Sequence, residues 1–330
     1  MRTVEWTEAG LDVVDQTALP QVTRVTLTTV DDVVDAIERL VVRGAPLLGV
    51  VGALGVALAA RRSAHSEDGY RPDLVHAAAE RIASARPTAK NLRWAVTEVL
   101  PGIADGHQTV LLRALTLLRE DVEACRAIAQ RGADLITELC GAGRPLTLHT
   151  HCNAGALACV EWGTALGVVR ALHERGAVHL VVVDETRPLL QGARITTVEL
   201  AALGIDHRVV VDGAGPSIIA RGLVDAVLVG ADRITANGDV VNKIGTYPLA
   251  LAAARAGIPF VVAAPESTVD AATPDGASVP VEQRAADEVL TVGGTRMTPP
   301  GSDAWNPAFD VTPADLVTAI VTESRVLRTS

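Results

Sequence analysis

The sequence is short of several residue types, and each shortage argues against a class of protein. Its four cysteines form no Cys-x-x-Cys pair, so it has neither a disulfide framework nor the usual spacing of a zinc site. Only two lysines accompany 27 arginines, and only eight residues in 330 are aromatic. Acidic residues outnumber basic ones by 39 to 29, and the net charge of −10 argues against a nucleic-acid or membrane partner.

Long hydrophobic runs and cofactor-binding motifs are also missing. The longest apolar stretch, Ala45 to Ala60, has 16 residues and includes Pro46, so it predicts a buried helix and falls short of the ~20 residues that span a bilayer. No Gly-x-Gly-x-x-Gly follows a predicted strand and no Walker motif occurs, which argues against nicotinamide, flavin or nucleoside-triphosphate enzymes. With no signal peptide at Met1–Trp6 and free cysteines, we expect a cytoplasmic protein.

The N-terminal part predicts a small sheet followed by helices. Alternating apolar and polar residues over positions 1–30 predict an antiparallel sheet. Asp31 or Asp32 is expected to cap a helix that runs through Val41. Residues 74–85 predict a further helix, and a long amphipathic pattern over 108–140 predicts the helix that leads into the second half of the chain.

The segment Arg43-Gly44-Ala45-Pro46 separates two of these helices. Pro46 suits the first turn of a helix and Gly44 permits an unusual backbone angle. A cation beside the free amides of a helix N-terminus makes an anion site, although an ordinary helix–turn–helix with a surface arginine has the same pattern. In the helix that follows, Gly49, Gly52 and Gly55 are expected to form a flat side for close packing.

Beyond Gly143 the pattern changes to repeated strand–helix units, which predict a parallel sheet covered on both faces. The predicted strands are Leu146–Thr150, Val178–Val183, Arg208–Val211, Ala226–Val229 and Pro259–Ala263. Reactive or charged groups follow these strands in turn: Cys152, Asp184-Glu185-Thr186-Arg187, Asp212, Asp232-Arg233 and Pro265-Glu266. Because parallel strands end at one edge of the sheet, these groups are expected to meet there.

Cys152 is the candidate at the centre of this edge. A helix N-terminus after it would lower the pKa of its thiol, whereas a buried structural thiol is the ordinary alternative. His149 and His151 lie on one face of the same strand, so a metal site is a further alternative, although the nearby acidic groups lack a clear ligand spacing. Cys125, Cys140 and Cys159 lie in apolar, helix-like patterns and are interpreted as core residues.

Asp232 and Lys243 are the other candidates from the second half. Asp232 follows a buried strand, where partial desolvation raises the pKa of a carboxyl group and suits it to acid–base work; capping a turn or pairing with Arg233 are the alternatives. Asn242-Lys243-Ile244-Gly245 is expected to open the next helix, where Lys243 would meet an anion as a point charge.

Taken together, these motifs are similar to those of one known family. They are Arg43-Gly44-Ala45-Pro46, Arg86-Pro87-Thr88-Ala89-x-Asn91-Leu92, Thr150-His151-Cys152-Asn153-Ala154-Gly155, Asp184-Glu185-Thr186-Arg187-Pro188, Leu190-Gln191-Gly192-Ala193-Arg194, Gly230-Ala231-Asp232-Arg233-Ile234, Asn237-Gly238-Asp239, Asn242-Lys243-Ile244-Gly245-Thr246 and Asn306-Pro307-Ala308-Phe309-Asp310. The chain resembles the methylthioribose-1-phosphate isomerases, which are kin to the regulatory subunits of a eukaryotic translation-initiation exchange factor. The resemblance covers most of the chain.

The resemblance implies an α/β fold, with a Rossmann-like parallel sheet domain (residues 126–330) preceded by a smaller, mainly helical domain (residues 1–125) with a short N-terminal antiparallel sheet. It implies a homodimer that needs no cofactor or metal and acts on a small sugar phosphate. The catalytic residues would be Cys152 and Asp232. The substrate contacts would fall on Arg43, Gly44, Ala45, Arg86, Gln191, Asn242 and Lys243.

The implied reaction is the aldose–ketose isomerisation of 5-methylthio-D-ribose 1-phosphate to 5-methylthio-D-ribulose 1-phosphate, in methionine salvage. Asp232 would protonate the ring oxygen and Cys152 would assist hydrogen transfer from C2 to C1, each role worth ~10²–10⁴ in rate. Arg43, Arg86 and Lys243 would fix the phosphate.

The sequence also departs from the family. Leu54, Leu189 and Val262 stand where the family often carries aromatic residues, and Asp212-Gly213-Ala214-Gly215-Pro216 is an unusual loop. Two explanations are open for the three aliphatic residues. They follow from the aromatic-poor composition, or the pocket for the 5-substituent has changed to favour 5-deoxyribose 1-phosphate or ribose 1,5-bisphosphate. A non-catalytic regulatory subunit is a third reading, against which the retained Cys152 and Asp232 argue.

Overall fold

A computed structural model describes residues 1–66, 69–86 and 89–328 of the chain. The N-terminal part opens with the predicted antiparallel sheet, in the order β1-β2-β3. Its strands are β1 (Val4–Trp6), β2 (Leu11–Val14) and β3 (Arg24–Leu27). The helices that follow are α1 (Val30–Glu38), α2 (Ala45–Ala64), α3 (Pro72–Ser84), α4 (Lys90–Val99) and α5 (His107–Cys140).

Helix α1 begins differently from the prediction. Its N-cap is Thr29, whose hydroxyl accepts a hydrogen bond from the Asp32 backbone N–H at 3.0 Å. The Asp32 carboxylate accepts one in return from the Thr29 N–H at 2.9 Å, which completes a capping box. The expectation that Asp31 or Asp32 would be the cap is therefore wrong, and the helix ends at Glu38 instead of Val41.

Helix α2 forms the centre of the N-terminal core, as its apolar sequence predicts. It is long and apolar enough to cross a membrane by length and composition, but 78% of its apolar window is buried inside the protein, as in the core helix of a globular domain. The side of α2 that carries Gly49 and Gly52 packs closely against α4, as predicted. A methyl group on Gly49 would lie 2.9 Å from the Asn91 carbonyl oxygen of α4, and one on Gly52 would lie 2.5 Å from Leu92.

Helix α5 joins the two parts of the molecule. Val110, Ala114 and Leu118 in its first half belong to the N-terminal core. Ile128 and Ile136 in its second half belong to the core of the second part. The predicted domain limit between residues 125 and 126 falls inside this continuous helix.

The second part is built on a seven-stranded sheet with the order β16-β15-β10-β7-β4-β5-β6. All its neighbouring strands are parallel except the antiparallel pair β15–β16. The strands are β4 (Leu146–Thr150), β5 (Val178–Asp184), β6 (His207–Val210), β7 (Ala226–Val229), β10 (Phe260–Ala263), β15 (Ala319–Val321) and β16 (Val326–Arg328). All five predicted strands are present within a residue or two.

Helices cover both faces of this sheet, because the side chains of its strands alternate between two cores. One core packs against α5 and α6, and the other against α8 and α9. The short final helix of the chain is α10. The helices of the second part are α6 (Ala165–Glu174), α7 (Thr197–Ala202), α8 (Gly215–Ala220), α9 (Thr246–Ala256) and α10 (Asp287–Leu290). The protein therefore has an α/β fold.

A second sheet, with the order β11-β8-β9-β14, corrects one prediction. Asn242 and Lys243 end strand β9 and do not open a helix; α9 begins at Thr246, after Gly245. The strands of this sheet are β8 (Arg233–Thr235), β9 (Val240–Lys243), β11 (Val269–Asp270) and β14 (Phe309–Thr312), and β12 (Thr291–Val292) and β13 (Thr295–Arg296) form a separate hairpin.

The close contact between α2 and α4 yields a stability prediction. Gly49→Ala would push a methyl group against a backbone oxygen, so we expect a loss of about 1–2 kcal/mol in the free energy of unfolding, measured by urea denaturation. The matched control is Gly167→Ala in α6, where the methyl group would make an ordinary 3.4 Å contact with Ala129. The control should be neutral or gain up to about 1 kcal/mol from helix propensity. Equal effects of the two substitutions would contradict this packing.

Candidate functional site

One pocket lies between the helical part and the edge of the parallel sheet. It is lined by every residue that the resemblance assigned to the site: Arg43, Gly44, Ala45, Arg86, Cys152, Gln191, Asp232, Asn242 and Lys243. Other residues of its wall are Leu40, Pro46, His151, Asn153, Ala158, Cys159, Thr164, Leu189, Pro265, Arg284 and Phe309. The expected convergence of strand ends occurs in part, because Cys152, Asp232 and Pro265 line this pocket. The other predicted strand-end groups are not among its lining residues: Asp184-Glu185-Thr186-Arg187, Asp212, Arg233 and Glu266.

Cys152 lies in a constrained turn just after β4. Its φ is 62°, a left-handed conformation that costs a residue other than glycine about 1 kcal/mol. Two hydrogen bonds hold it there, from its N–H to the Thr186 hydroxyl at 2.9 Å and from the Thr196 hydroxyl to its carbonyl at 2.6 Å. The next α-helix begins only at Ala165, so the expected position at a helix N-terminus is wrong.

Arg43 and the start of α2 form one wall of the pocket. The guanidinium of Arg43 donates to the Asn153 side-chain oxygen and to the Asn153 carbonyl, both at 2.9 Å. Gly44, with φ 101°, permits the close approach here, because a methyl group on it would lie 2.5 Å from the backbone of Ala158. The helix N-terminus and Arg43 are thus both presented to the pocket, the arrangement that an anion site requires.

Asp232 lies on the opposite side of the pocket. Gly230, in the same loop, allows that loop to approach the turn that contains Cys152. A methyl group on Gly230 would lie 2.7 Å from the Ala154 side chain. Burial raises the pKa of the Asp232 carboxyl, although the charges of Lys243, Arg86 and Arg43 oppose the rise. Arg233 pairs with Asp270 at 3.4 Å, so the alternative of an Asp232–Arg233 pair does not hold.

Lys243 reaches the pocket from the end of β9. Its ammonium donates to the Ala308 carbonyl at 2.7 Å and lies 4.6 Å from the centre of the Phe309 ring. Burial lowers its pKa, an effect that the neighbouring Cys152 and Asp232 oppose. The adjacent Asn242 donates to the Thr246 hydroxyl at 2.9 Å.

Two further arginines, Arg86 and Arg284, line the pocket. Arg86 lies 3.9 Å from Glu282, and burial lowers the pKa of its guanidinium. Arg284 is held by Glu288 at 2.6 Å and by Glu282 at 3.1 Å. Pro87 and Thr88, which belong to the motif that begins at Arg86, lie outside the described residues.

His151 is buried behind Cys152 and is doubly hydrogen-bonded. Its Nδ1 lies 2.8 Å from the Asp184 carboxylate and its Nε2 lies 2.8 Å from the Ile244 carbonyl oxygen. The carbonyl can only accept, so Nε2 carries a proton. Burial lowers the pKa of His151, but the bond to Asp184 and the charges of Asp184 and Asp212 raise it by more. The surroundings of His151 therefore favour its charged form.

The Asp184 carboxylate also contacts a second histidine, His149. His149 Nε2 lies 2.9 Å from its other oxygen, and these two histidine bonds hold the pKa of Asp184 below its usual value in spite of burial. His151, Asp184 and Asp212 lie close enough to share a metal ion. Both ring nitrogens of His151 and both oxygens of Asp184 are already hydrogen-bonded, however, so the arrangement is that of a structural network.

The remaining thiols occupy different environments. Cys125 is buried in α5 and Cys140 is half-buried at its end, and the four cysteines are free thiols. Cys159 is buried but lies outside an α-helix, in the loop before α6, and lines the pocket. Of the three positions where an aromatic residue was expected, only Leu189 lines the pocket, whereas Leu54 and Val262 belong to the two cores.

The sequence did not single out several residues of the pocket wall. Arg284 comes from a loop in the C-terminal third, where no periodic pattern or turn motif marks it. Asn153 and Phe309 lay within recognised motifs, but their contacts with Arg43 and Lys243 appear only in the fold. Such contacts join segments more than 60 residues apart, so local patterns could not predict them.

Comparisons with solved structures agree with this architecture. The chain is similar to 5-methylthioribose 1-phosphate isomerase from Pyrococcus horikoshii, with a TM-score of 0.89 and 38% identity, covering 99% of this chain and 92% of that one. It is also similar to the translation initiation factor eIF-2B, subunit delta, from A. fulgidus, with a TM-score of 0.87 and 39% identity, covering 99% and 96%.

Curated relatives are named as isomerases of ribose 1-phosphates. Methylthioribose-1-phosphate isomerase of Anaeromyxobacter dehalogenans is 52% identical over 95% of this chain and 89% of its own length. A 5-deoxyribose 1-phosphate isomerase of Moorella thermoacetica is 45% identical over 98% of this chain and 93% of its own length. A probable bifunctional methylthioribose-1-phosphate isomerase/methylthioribulose-1-phosphate dehydratase of Nocardia farcinica is 56% identical over 98% of this chain, which spans only 58% of that relative.

The family model described as the initiation factor 2 subunit family matches residues 41–329. This range includes the pocket, apart from Leu40, and both sheets of the second part. The chain belongs to the initiation factor 2 subunit family and, within it, groups with the methylthioribose-1-phosphate isomerases.

Proposed function

We propose that this protein is a cofactor-independent aldose–ketose isomerase that converts 5-methylthio-D-ribose 1-phosphate to 5-methylthio-D-ribulose 1-phosphate, in methionine salvage. The observation that carries the proposal is the shared pocket, in which a thiol and a carboxyl with raised pKa face several cations. The names of the relatives agree with this reaction. A non-catalytic regulatory subunit would need the cations in order to bind an anion, but it would not need the Cys152–Asp232 pair.

The phosphate would bind among Arg43, Arg86 and Lys243, next to the free amides at the start of α2. Arg43 is fixed by Asn153 and Lys243 by Ala308, so both are oriented before substrate arrives. Gln191 is buried and its side-chain oxygen has no hydrogen-bond partner among the described residues. An unpaired buried acceptor costs about 1–3 kcal/mol, so a sugar hydroxyl that donates to it would bind favourably.

The chemistry needs two groups because the 1-phosphate locks the sugar ring. Asp232 donates a proton to the ring oxygen as the bond from C1 to that oxygen breaks. Cys152 then assists the transfer of hydrogen from C2 to C1, while the C2 hydroxyl returns a proton to Asp232 as the ketone forms. Atoms and charges balance, because each group ends in the state in which it began.

Apolar residues that line the pocket would suit an uncharged 5-substituent. They include Leu40, Ala158, Leu189 and Pro265. A methylthio or methyl group fits such a wall, whereas a 5-phosphate would need a second set of cations. The 5-deoxy sugar is therefore the closest alternative substrate, in agreement with the name of the Moorella relative.

We also propose that the chain acts as a cytoplasmic homodimer, as the family resemblance implies. A mass of twice 34.3 kDa by light scattering would support the dimer.

The direct test of the proposed function is an NMR assay with three aldose 1-phosphates. We expect ketose product from the methylthio substrate, slower conversion of 5-deoxyribose 1-phosphate and least of ribose 1,5-bisphosphate, because the wall near Leu189 is apolar. Leu189→Ala should raise KM for the methylthio substrate more than for the deoxy one. No turnover of any of the three would overturn the proposal.

Substitution of the two proposed catalytic groups should remove turnover and spare binding. We expect Cys152→Ser and Asp232→Asn each to lower kcat by about 10²–10⁴, with product-analogue affinity nearly unchanged. The thiol control is Cys140→Ser, outside the pocket, which should keep the wild-type rate. Since the acid must be protonated, wild-type kcat should fall as pH rises through the raised pKa of Asp232. Near-wild-type rates in both variants would refute the assigned roles.

The buried His151–Asp184 pair should contribute strongly to stability. His151→Asn leaves the Asp184 carboxylate with one partner fewer, so we expect a loss of about 3 kcal/mol in the free energy of unfolding by urea. Because the pKa of His151 is raised in the folded state, this contribution is complete below the unfolded pKa of ~6.5 and is lost as pH rises through the folded pKa.

The control for this prediction is His179→Asn, which removes an exposed histidine from the neighbouring strand β5. It should change the free energy of unfolding by less than about 0.5 kcal/mol. A similar small effect for His151→Asn, unchanged between pH 6 and higher pH, would show that the histidine is not charged.

A further inference from the structure

We propose that Asp121, Cys125 and Cys159 form a binding site for a thiophilic divalent cation such as Zn²⁺, beside the substrate pocket. None of the three takes part in the proposed isomerisation. The site combines a compact set of ligand atoms with an acidic cavity that leads to it.

The ligand atoms are already close together. Asp121 and Cys125 are four residues apart on α5 and therefore share one face of the helix. Cys159 comes from the loop before α6, and the two thiols and a carboxylate oxygen all lie within 4.8 Å of one another. Ligands of a tetrahedral zinc ion, at ~2.3 Å for sulfur and ~2.1 Å for oxygen, lie ~3.8 Å apart or less, so a closure of about 1 Å suffices.

The hydrogen bonds of the cluster leave room for an ion. One oxygen of Asp121 accepts the Val160 N–H at 2.8 Å, and no other hydrogen bond to this carboxylate occurs among the described residues. Cys125 and Cys159 are free thiols whose sulfur atoms lie within 4.8 Å of each other. A cation would replace this thiol–thiol contact, release the thiol protons to solvent and bind two thiolates and a carboxylate, with water in the fourth position.

An acidic cavity of about 700 Å³ provides access to the cluster. Asp121 lines it together with Glu123 and Glu323, and with Glu120 and Glu266, which are paired with Arg113 and Arg325. No lysine or arginine lines it in the described part of the chain. Like-charged walls of this kind concentrate cations at their surface. A soft cation drawn into the cavity would meet Asp121, and the two sulfur atoms lie within 4.8 Å of a carboxylate oxygen of this residue.

The position of Cys159 connects this site to the substrate pocket. Cys159 lines that pocket, and its neighbour Ala158 contacts Gly44 at the start of α2. A cation held by Cys159 would therefore fix the wall on which the phosphate site depends. The cluster is thus a second site, separated from Cys152 but sharing a loop with the pocket.

A cobalt titration tests the proposal on the reduced, chelator-treated full chain. We expect one equivalent of Co²⁺ to give a thiolate-to-cobalt charge-transfer absorption in the near ultraviolet, and Zn²⁺ to displace it. Cys125→Ala/Cys159→Ala should abolish the absorption. Asp121→Asn keeps an acceptor for the Val160 N–H and should weaken binding by at least about tenfold.

Two controls, Cys140→Ser and Cys152→Ser, each remove one thiol outside the cluster and should retain the absorption and the affinity. The proposal is overturned if wild type gives no charge-transfer band, if the band survives the double substitution, or if it disappears with Cys152→Ser. Unchanged affinity in Asp121→Asn would also contradict it, and this variant serves if the double substitution fails to fold.

Discussion

The bridge that Asp184 makes between His149 and His151 is the interaction on which the candidate site depends. Asp184 ends β5, and the two histidines belong to β4 and to the turn after it. Through its second nitrogen His151 also holds the Ile244 carbonyl, next to Lys243 at the end of β9. One buried charge network thus joins the three chain segments that carry Cys152, Lys243 and the supporting Thr186. Loss of this network would disturb the site more than loss of one ion pair does, because each of the three segments positions a different group.

The same network explains why a thiol can occupy an unfavourable backbone conformation. The turn at Cys152 has a positive φ, and its neighbours supply the hydrogen bonds that hold it. Asp212 supports this arrangement from the next strand end, since its carboxylate accepts the N–H groups of Thr186 and Arg187 at 2.8 and 2.7 Å. The loop that looked unusual in the sequence therefore helps to fix the residue that contacts Cys152.

Much of the fold could be predicted from sequence, because local patterns determine it. Apolar runs identified the parallel strands, and glycine spacing identified the packing side of α2. The small sheet of β11, β8, β9 and β14 was missed, since its strands have two to four residues and pair across distant segments. Lys243 was consequently assigned to a helix: Gly245 resembles a helix start, and only the pairing with Phe309 reveals the strand. The prediction of the site residues depended on motifs shared with a known family more than on periodicity.

The charges around Asp232 connect substrate binding to the proton that ring opening requires. In the free pocket, burial raises the pKa of this carboxyl while Lys243, Arg86 and Arg43 lower it. A bound phosphate carries about 1.5 to 2 negative charges at neutral pH and would pair with those same cations. Their field at Asp232 would then be largely cancelled, so the pKa of the carboxyl would rise further and its protonated form would be favoured. A sugar without the phosphate would lack this further rise and would lose turnover as well as affinity, because binding energy and acid strength depend on the same three cations.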